Sequence, residues 1–289
     1  MLALFLGLVI HAGPAVAEGT VRPPDAPPAA SYSLGVIPFY GPEKIWALYS
    51  PFVDYLNRTS GVSWELKLYH NHESLIEDLC SGRLSIALLG PAPLGRAKKK
   101  CSVDPLIVAL GPDRKPFYRS ILLTGDFSVR SLSDLKGKPV AFFKNSTASH
   151  VLPAKMLRDA GLRPDQVRPV FFESQGSIMD ALQRGEVSAG GVKEALYKRF
   201  KKSRLRVLKS SDPLPNFAFC ALPSLDARAK KTFSGLLLAL SPHANKKDRE
   251  LMRHWDDEIR NGFIKPPGTY LRDVEQVNRY YEEMAHENK

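Results

Sequence analysis

From Ser31 onward, short apolar runs alternate with longer stretches whose apolar positions recur at helical spacing. That alternation predicts an α/β protein, because each helix carries the chain back across a sheet to lay the next strand beside the last. Tyr32–Ile37 reads as a strand, and Pro42 opens a helix with Ile45, Leu48, Phe52 and Leu56 on one face, ending before Gly61. Trp64–Tyr69 is a strand, Glu73–Ser81 a helix stopped by Gly82, and Leu84–Leu89 a strand that breaks at Gly90-Pro91. Leu106–Leu110 and Tyr118–Thr124 are further strands. A second set follows the turn Ser131–Gly137: strand Pro139–Phe143, helix Ser146–Ala160, strand Val167–Phe172, helix Ser177–Arg184, strand Glu186–Val192 and helix Lys193–Phe200. Leu205–Lys209 and Asn216–Leu222 read as strands, and the last third as the helices Asp226–Leu240, Lys247–Asn261 and Tyr270–Met284.

The 289 residues suffice for two modest domains or one large one with a real core. Three cysteines cannot staple a chain of this length, and no Cys/His cluster has metal-ligand spacing, so neither a metal nor a cofactor is expected. Lys and Arg number 41 against 30 Asp and Glu, a formal charge of +11. The basic residues gather at Arg96–Lys100, at Lys198, Arg199, Lys201, Lys202, Arg204 and Arg206, and at Lys230–Lys231 and Lys246–Lys247. They read as solvated helix ends and loops. None is interleaved with aromatic residues in a nucleic-acid-binding pattern, so no nucleic-acid partner is expected.

Leu2–Ala12 is almost wholly apolar, Pro14 follows, and Ala15-Val16-Ala17 offers the small residues that signal peptidase accepts. Residues 1–17 therefore read as an export signal cleaved after Ala17, and residues 18–30, rich in Pro and Ala, as a flexible leader. No basic residue precedes the apolar run, a departure from the usual signal. No later segment offers the roughly 20 apolar residues that a membrane helix needs. Export to an oxidising compartment makes Cys80 and Cys101, which flank a helix end, a strand and a second helix, candidates to close one loop. Cys220 is then left over, as a buried and inert thiol.

The most informative polar stretch is Lys144-Asn-Ser-Thr-Ala-Ser-His150, set between an apolar strand and an apolar helix. Free N–H groups of a first helical turn favour an anion, and Ser146, Thr147 and Ser149 add hydroxyl donors. Plain N-capping accounts for one such hydroxyl, so anion site and cap both stand as readings. Gly90-Pro91-Ala92 ends another strand where backbone can approach a ligand, and Tyr40 and Tyr118 are aromatic candidates to wall a pocket. Asp256-Asp257 and Glu282-Glu283 sit in amphipathic patterns and read as solvated faces. With no acid–base pair, nucleophile signature or phosphate loop, no catalytic residue is nominated and no enzyme is expected.

The segments Leu34-Gly-Val-Ile-Pro38, Glu43–Tyr49 with Pro51–Leu56, Leu89-Gly-Pro91, Tyr118-Arg-Ser120, Ser131–Phe142, Ser146–Ser149 and Gly185–Val192 together resemble the phosphonate/phosphite-binding periplasmic protein family. Its members are substrate-binding subunits of oxyanion ABC transporters. The resemblance implies a type II periplasmic-binding-protein fold, with two α/β lobes, two crossing segments and ligand in the cleft between them. Residues 31–117 plus 222–289 would form the first lobe and 118–221 the second, with Tyr118–Thr124 and Asn216–Leu222 as the crossings. It implies a monomer that passes a phosphonate, phosphite or phosphate-like anion to an ABC permease, or a sensing module of the same fold that feeds a receptor. Ser146, Thr147, Ala148 and Ser149 match the family's oxyanion site, and Tyr40 falls at a wall position. Ser174-Gln175 stands where members carry a His-Asp pair, and Lys193 where an acid often stands. Lys193 is then either a cation added to the cleft or a helix start facing solvent.

Overall fold

The computed structural model describes residues 30–37, 40–200 and 204–287. The expected signal, the leader up to residue 29, and Lys201 and Lys202 lie outside the described residues. In chain order the first elements are β1 Ser31–Val36, α1 Pro42–Thr59, β2 Ser63–Leu68, α2 His72–Cys80, β3 Ile86–Leu89, α3 Pro91–Lys100 and β4 Asp104–Ala109. There follow β5 Phe117–Tyr118, β6 Ser120–Thr124, β7 Pro139–Phe143, a π-helical turn Thr147–Val151, α4 Leu152–Asp159, β8 Arg168–Phe172, α5 Gln175–Arg184, β9 Ala189–Lys193 and α6 Glu194–Arg199. The remainder is β10 Arg206–Ser210, β11 Leu214–Pro215, β12 Ala218–Ala221, α7 Ala227–Leu238, α8 Lys246–Met252, β13 Phe263–Ile264 and α9 Tyr270–Glu287.

Two sheets organise these elements. The first has the order β13-β4-β12-β3-β1-β2, and the second β10-β6-β9-β7-β8. β1 runs parallel to β2 and β3, and β7 parallel to β8 and β9, as helical crossovers require. The chain leaves the first sheet after β4, enters the second at β6, and returns between β10 and β12. On both passages it runs through a short antiparallel ribbon in which Leu214 pairs with Tyr118 and Pro215 with Phe117. The run expected as one strand, Tyr118–Thr124, is thus two: β5 belongs to the ribbon and β6 to the second sheet. Arg119 separates them, its guanidinium donating to the Ser211 carbonyl.

The core of the first sheet is aromatic. Phe52, on the apolar face of α1, lies 4.9 Å from Trp255 and 5.5 Å from Phe219 of β12, and Phe233 of α7 packs 5.2 Å from Phe219. Ring pairs at these separations add to ordinary area burial. Trp255 is fully buried by them, and this overrides the helix expected over Lys247–Asn261: α8 stops at Met252 and the chain continues in turns to Asn261.

Cys80, the last residue of α2, and Cys101, the cap of α3, form a disulfide with Cα atoms 5.6 Å apart. Cys220 is a buried free thiol whose pKa burial pushes well above the usual range. The bond closes a loop of 21 residues' separation. Replacing both partners by serine is expected to lower the unfolding free energy by about 3 kcal/mol. Urea denaturation reads this directly, and an unchanged midpoint would show that the closed loop contributes no stability.

Candidate functional site

Helix starts from both sheets meet at the C-terminal ends of parallel strands, where open α/β sheets collect ligands. β3 leads through Gly90 into α3, β7 through Asn145 and Ser146 into the π-helical turn, and β8 through Ser174 into α5. Small residues let them converge. A Cβ on Gly90 would lie 3.1 Å from the Phe217 ring, and one on Gly191 of β9 only 2.1 Å from Pro153 Cγ. The turn therefore rests directly on β9, held there by Ser120 Oγ donating to the Ala148 carbonyl at 2.7 Å.

The hydroxyl-rich turn is more than a cap. Thr147 Oγ1 accepts a hydrogen bond of 2.9 Å from the Ala92 N–H, so a side chain of the second sheet's turn terminates the first sheet's helix. The first bond of the turn itself runs from His150 N–H to the Ser146 carbonyl, which leaves the N–H groups of Thr147, Ala148 and Ser149 ahead of it. Ser149 Oγ is buried with no hydrogen-bond partner among the described residues, and the Tyr118 hydroxyl is buried beside that of Thr147. A buried unsatisfied hydroxyl is costly, and one at this turn is what a ligand oxygen would satisfy. His150 Nδ1 accepts from Asn145 N–H, at a backbone φ of 61° for Asn145, and burial with Lys144 and Arg96 nearby pulls its pKa down to about 4.

The remaining expected residues divide. Tyr40 is half-buried and its hydroxyl accepts from Arg199 at 2.6 Å, while burial raises its pKa. Pro91 is the first residue of α3, placed for its geometry. Ser174 acts as a cap, accepting from Ser177 N–H at 3.1 Å, and Gln175 Oε1 accepts from the Lys193 N–H at 2.8 Å.

Lys193 departs from both expectations. It neither faces solvent nor stands as an unpaired cation, because its side chain is only 4% exposed and its ammonium is ion-paired with Glu258. The same ammonium donates to Asn216 Oδ1 at 2.8 Å and lies 4.3 Å from the Tyr118 ring centre and 4.5 Å from that of Phe217. Burial lowers its pKa, and Glu258 opposes that shift. Asp256, expected on a solvated face, is instead buried; one carboxylate oxygen accepts from Glu258 N–H at 2.9 Å, and the carboxylate faces the buried Tyr49 hydroxyl. Burial, reinforced by the Glu258 charge, raises its pKa to about 6. Arg199, which also donates to Tyr40, pairs with Asp257, adding a further link between the two sheets. Glu258, Asn216, Phe217 and Arg199 thus belong to this site, and local pattern did not nominate them. The one available signal was an acidic run immediately after a tryptophan.

A cavity of about 1190 Å³ borders the turn, lined by Asn145 and His150 together with Leu157, Phe171 and Met284. Among the described residues no group of acids, histidines and cysteines could hold a metal ion, and no helix is long and apolar enough to cross a membrane.

Residues 34–266 match the model of a family described as the phosphonate periplasmic substrate-binding protein of ABC transporters. Among solved structures, PhnD1 of Prochlorococcus marinus in complex with methylphosphonate superposes with a TM-score of 0.76 at 17% identity, covering 88% of this chain and 98% of that one. A binding component of a phosphonate ABC transporter from Pseudomonas aeruginosa gives 0.78 at 15% identity, covering 90% and 89%. At such identities the likeness establishes the fold, a two-sheet periplasmic-binding-protein architecture. A putative aliphatic sulfonates-binding protein of Escherichia coli is 30% identical over 141 residues, 48% of this chain and 43% of that protein, so the match spans less than half of the relative.

The buried acid gives the site a pH signature. Asp256 is held at about 6 against an ordinary 3.8, so the stability tied to its protonated form is complete below pH 3.8 and is lost as pH rises through 6. Asp256→Asn keeps an oxygen for Glu258 N–H and removes the buried charge. The variant is expected to melt several degrees above the wild type at pH 8 and to match it near pH 4. A difference in melting temperature that does not change with pH would show that Asp256 is not the titrating group.

Proposed function

The chain belongs to the periplasmic substrate-binding proteins of phosphonate ABC transporters, a family of transporter subunits rather than enzymes, and on that footing we propose that it captures a small tetrahedral oxyanion between its two sheets and delivers it to a permease. A phosphonate, phosphite or phosphate-like group is the proposed ligand. The observation that carries this reading is the turn Ser146–Ser149, where N–H groups precede the first helical bond and the buried hydroxyl of Ser149 lacks a partner among the described residues. A tetrahedral anion accepts from several such donors at once.

In this reading Thr147 is the pivot. Its hydroxyl oxygen accepts from Ala92 N–H and the hydroxyl lies beside that of Tyr118, which sets the two helix starts against each other and gathers two hydroxyls at one point. Gly90 and Pro91 present the first lobe's helix start, and Tyr40, drawn in by Arg199, walls the entrance. Ser174 and Gln175 act indirectly, capping α5 and holding the backbone of Lys193. The proposed lobes, residues 31–117 with 222–289 and residues 118–221, would close by flexing the β5/β11 ribbon. Export with cleavage after Ala17 would bring the mature chain to the periplasm.

Isothermal titration with methylphosphonate, phosphite, phosphate and methanesulfonate tests the assignment, with binding of at least one phosphorus oxyanion expected. Heat-silent, competition-negative titrations with all four would refute it. Thr147→Ala should weaken the bound oxyanion by more than about tenfold, or ~1.4 kcal/mol; wild-type affinity in that variant would reduce the turn to a helix cap.

A further inference from the structure

The surroundings of Lys193 form a recognition site in their own right. Two aromatic faces, a carboxylate and an amide oxygen converge on one ammonium, and that group set holds ammonium ligands generally. Here the ammonium is supplied by the chain. Its backbone is fixed to the second sheet by the β6/β9 ladder and by Gln175, whereas Glu258 comes from the turn after α8. The cage adjoins the proposed anion site through a shared residue: the ring of Tyr118 faces Lys193, and its buried hydroxyl meets that of Thr147.

We propose that Lys193 is a built-in occupant of the cleft's ammonium subsite, so that the protein selects oxyanions bearing no amine. This deepens the oxyanion reading and rests on it. A short aminoalkyl phosphonate seated on the turn would bring its ammonium to a cage already filled, and would meet a like charge in a site closed to water. A simple alkyl phosphonate, phosphite or phosphate meets neither obstacle. Lys193 is in this sense a specificity-determining residue.

The experiment has an arm with oxyanions and one without. Wild type should bind methylphosphonate at least about tenfold more tightly than 2-aminoethylphosphonate, and Lys193→Ala should reverse the order. Equal or tighter binding of the amine by wild type overturns the proposal, and that measurement needs no variant to fold. In the second arm, ethylammonium chloride, compared with potassium chloride at equal concentration, should raise the melting temperature of Lys193→Ala by several degrees and leave wild type unmoved. Lys193→Met, which fills the cage with an apolar chain of similar length, should also stay unmoved. No ammonium-specific shift in Lys193→Ala, or the same shift in all three proteins, overturns the cage. If wild type binds neither phosphonate nor phosphite nor phosphate, the oxyanion reading fails by itself, and the thermal arm still decides whether Lys193 fills an ammonium subsite.

Discussion

A buried ammonium cannot be left without partners, and much of the arrangement between the two sheets follows from that constraint at Lys193. Withdrawing the charge from water costs several kcal/mol, and the cost is offset only when carboxylate, amide oxygen and ring faces are all in place. Each partner comes from a different part of the chain. Tyr118 belongs to the outbound half of the ribbon, Asn216 and Phe217 to the return passage, and Glu258 to the turns after α8. These positions must therefore be fixed together. Asn216 is further tied by its own amide to the Ala109 carbonyl, and its carbonyl accepts from the Tyr270 hydroxyl. The acid turn is fixed by Trp255, clamped against Phe52 and Tyr55 in the aromatic core.

The same logic explains how the hydroxyl-rich turn reaches the first sheet. A parallel strand followed by a helix leaves free N–H groups at the strand's C-terminal end, and two sheets facing each other bring two such ends together. The bond from Ala92 N–H to Thr147 Oγ1 joins them at 2.9 Å. A wider, π-helical turn suits this junction, because Gly191 beneath it lets Pro153 and the Ala148 carbonyl lie against the strand.

What could be read in the sequence follows the range of the forces involved. The alternation of strands and helices is a local property, as are the glycines that end helices at 61, 82 and 185, the loop closed by Cys80 and Cys101, and the hydroxyl cluster of Ser146–Ser149. All of these were visible as pattern. The acid turn was not, because Trp255 and Ile259 stand four residues apart among charges and imitate an amphipathic helix. Only packing against Phe52, some two hundred residues earlier in sequence, pulls the tryptophan out of that helix and turns Glu258 inward. Lys193 suffered the same blindness. Its position at a strand end was legible, but its counter-charge lies 65 residues further along and nothing local announces it. The break at Arg119 was hidden because Phe117 and Tyr118 before it and Ile121–Leu123 after it make the run look continuous.

The charge balance takes on a different meaning in this light. The chain carries +11 overall, yet the buried cation Lys193 is neutralised by Glu258 and turned toward aromatic faces. Long-range attraction of an anion and its close recognition would thereby be separated. On the proposed reading, a basic surface, with Lys98–Lys100 at the end of α3, would raise the local concentration of anions and speed their encounter. Recognition would be left to N–H groups and hydroxyls, which are directional and distinguish a tetrahedral oxyanion by geometry. A direct ammonium contact would add affinity with little selectivity and would slow release, which the delivery role proposed above could not tolerate. On that reading, satisfying Lys193 within the chain would keep the cleft attractive to anions without making it a trap.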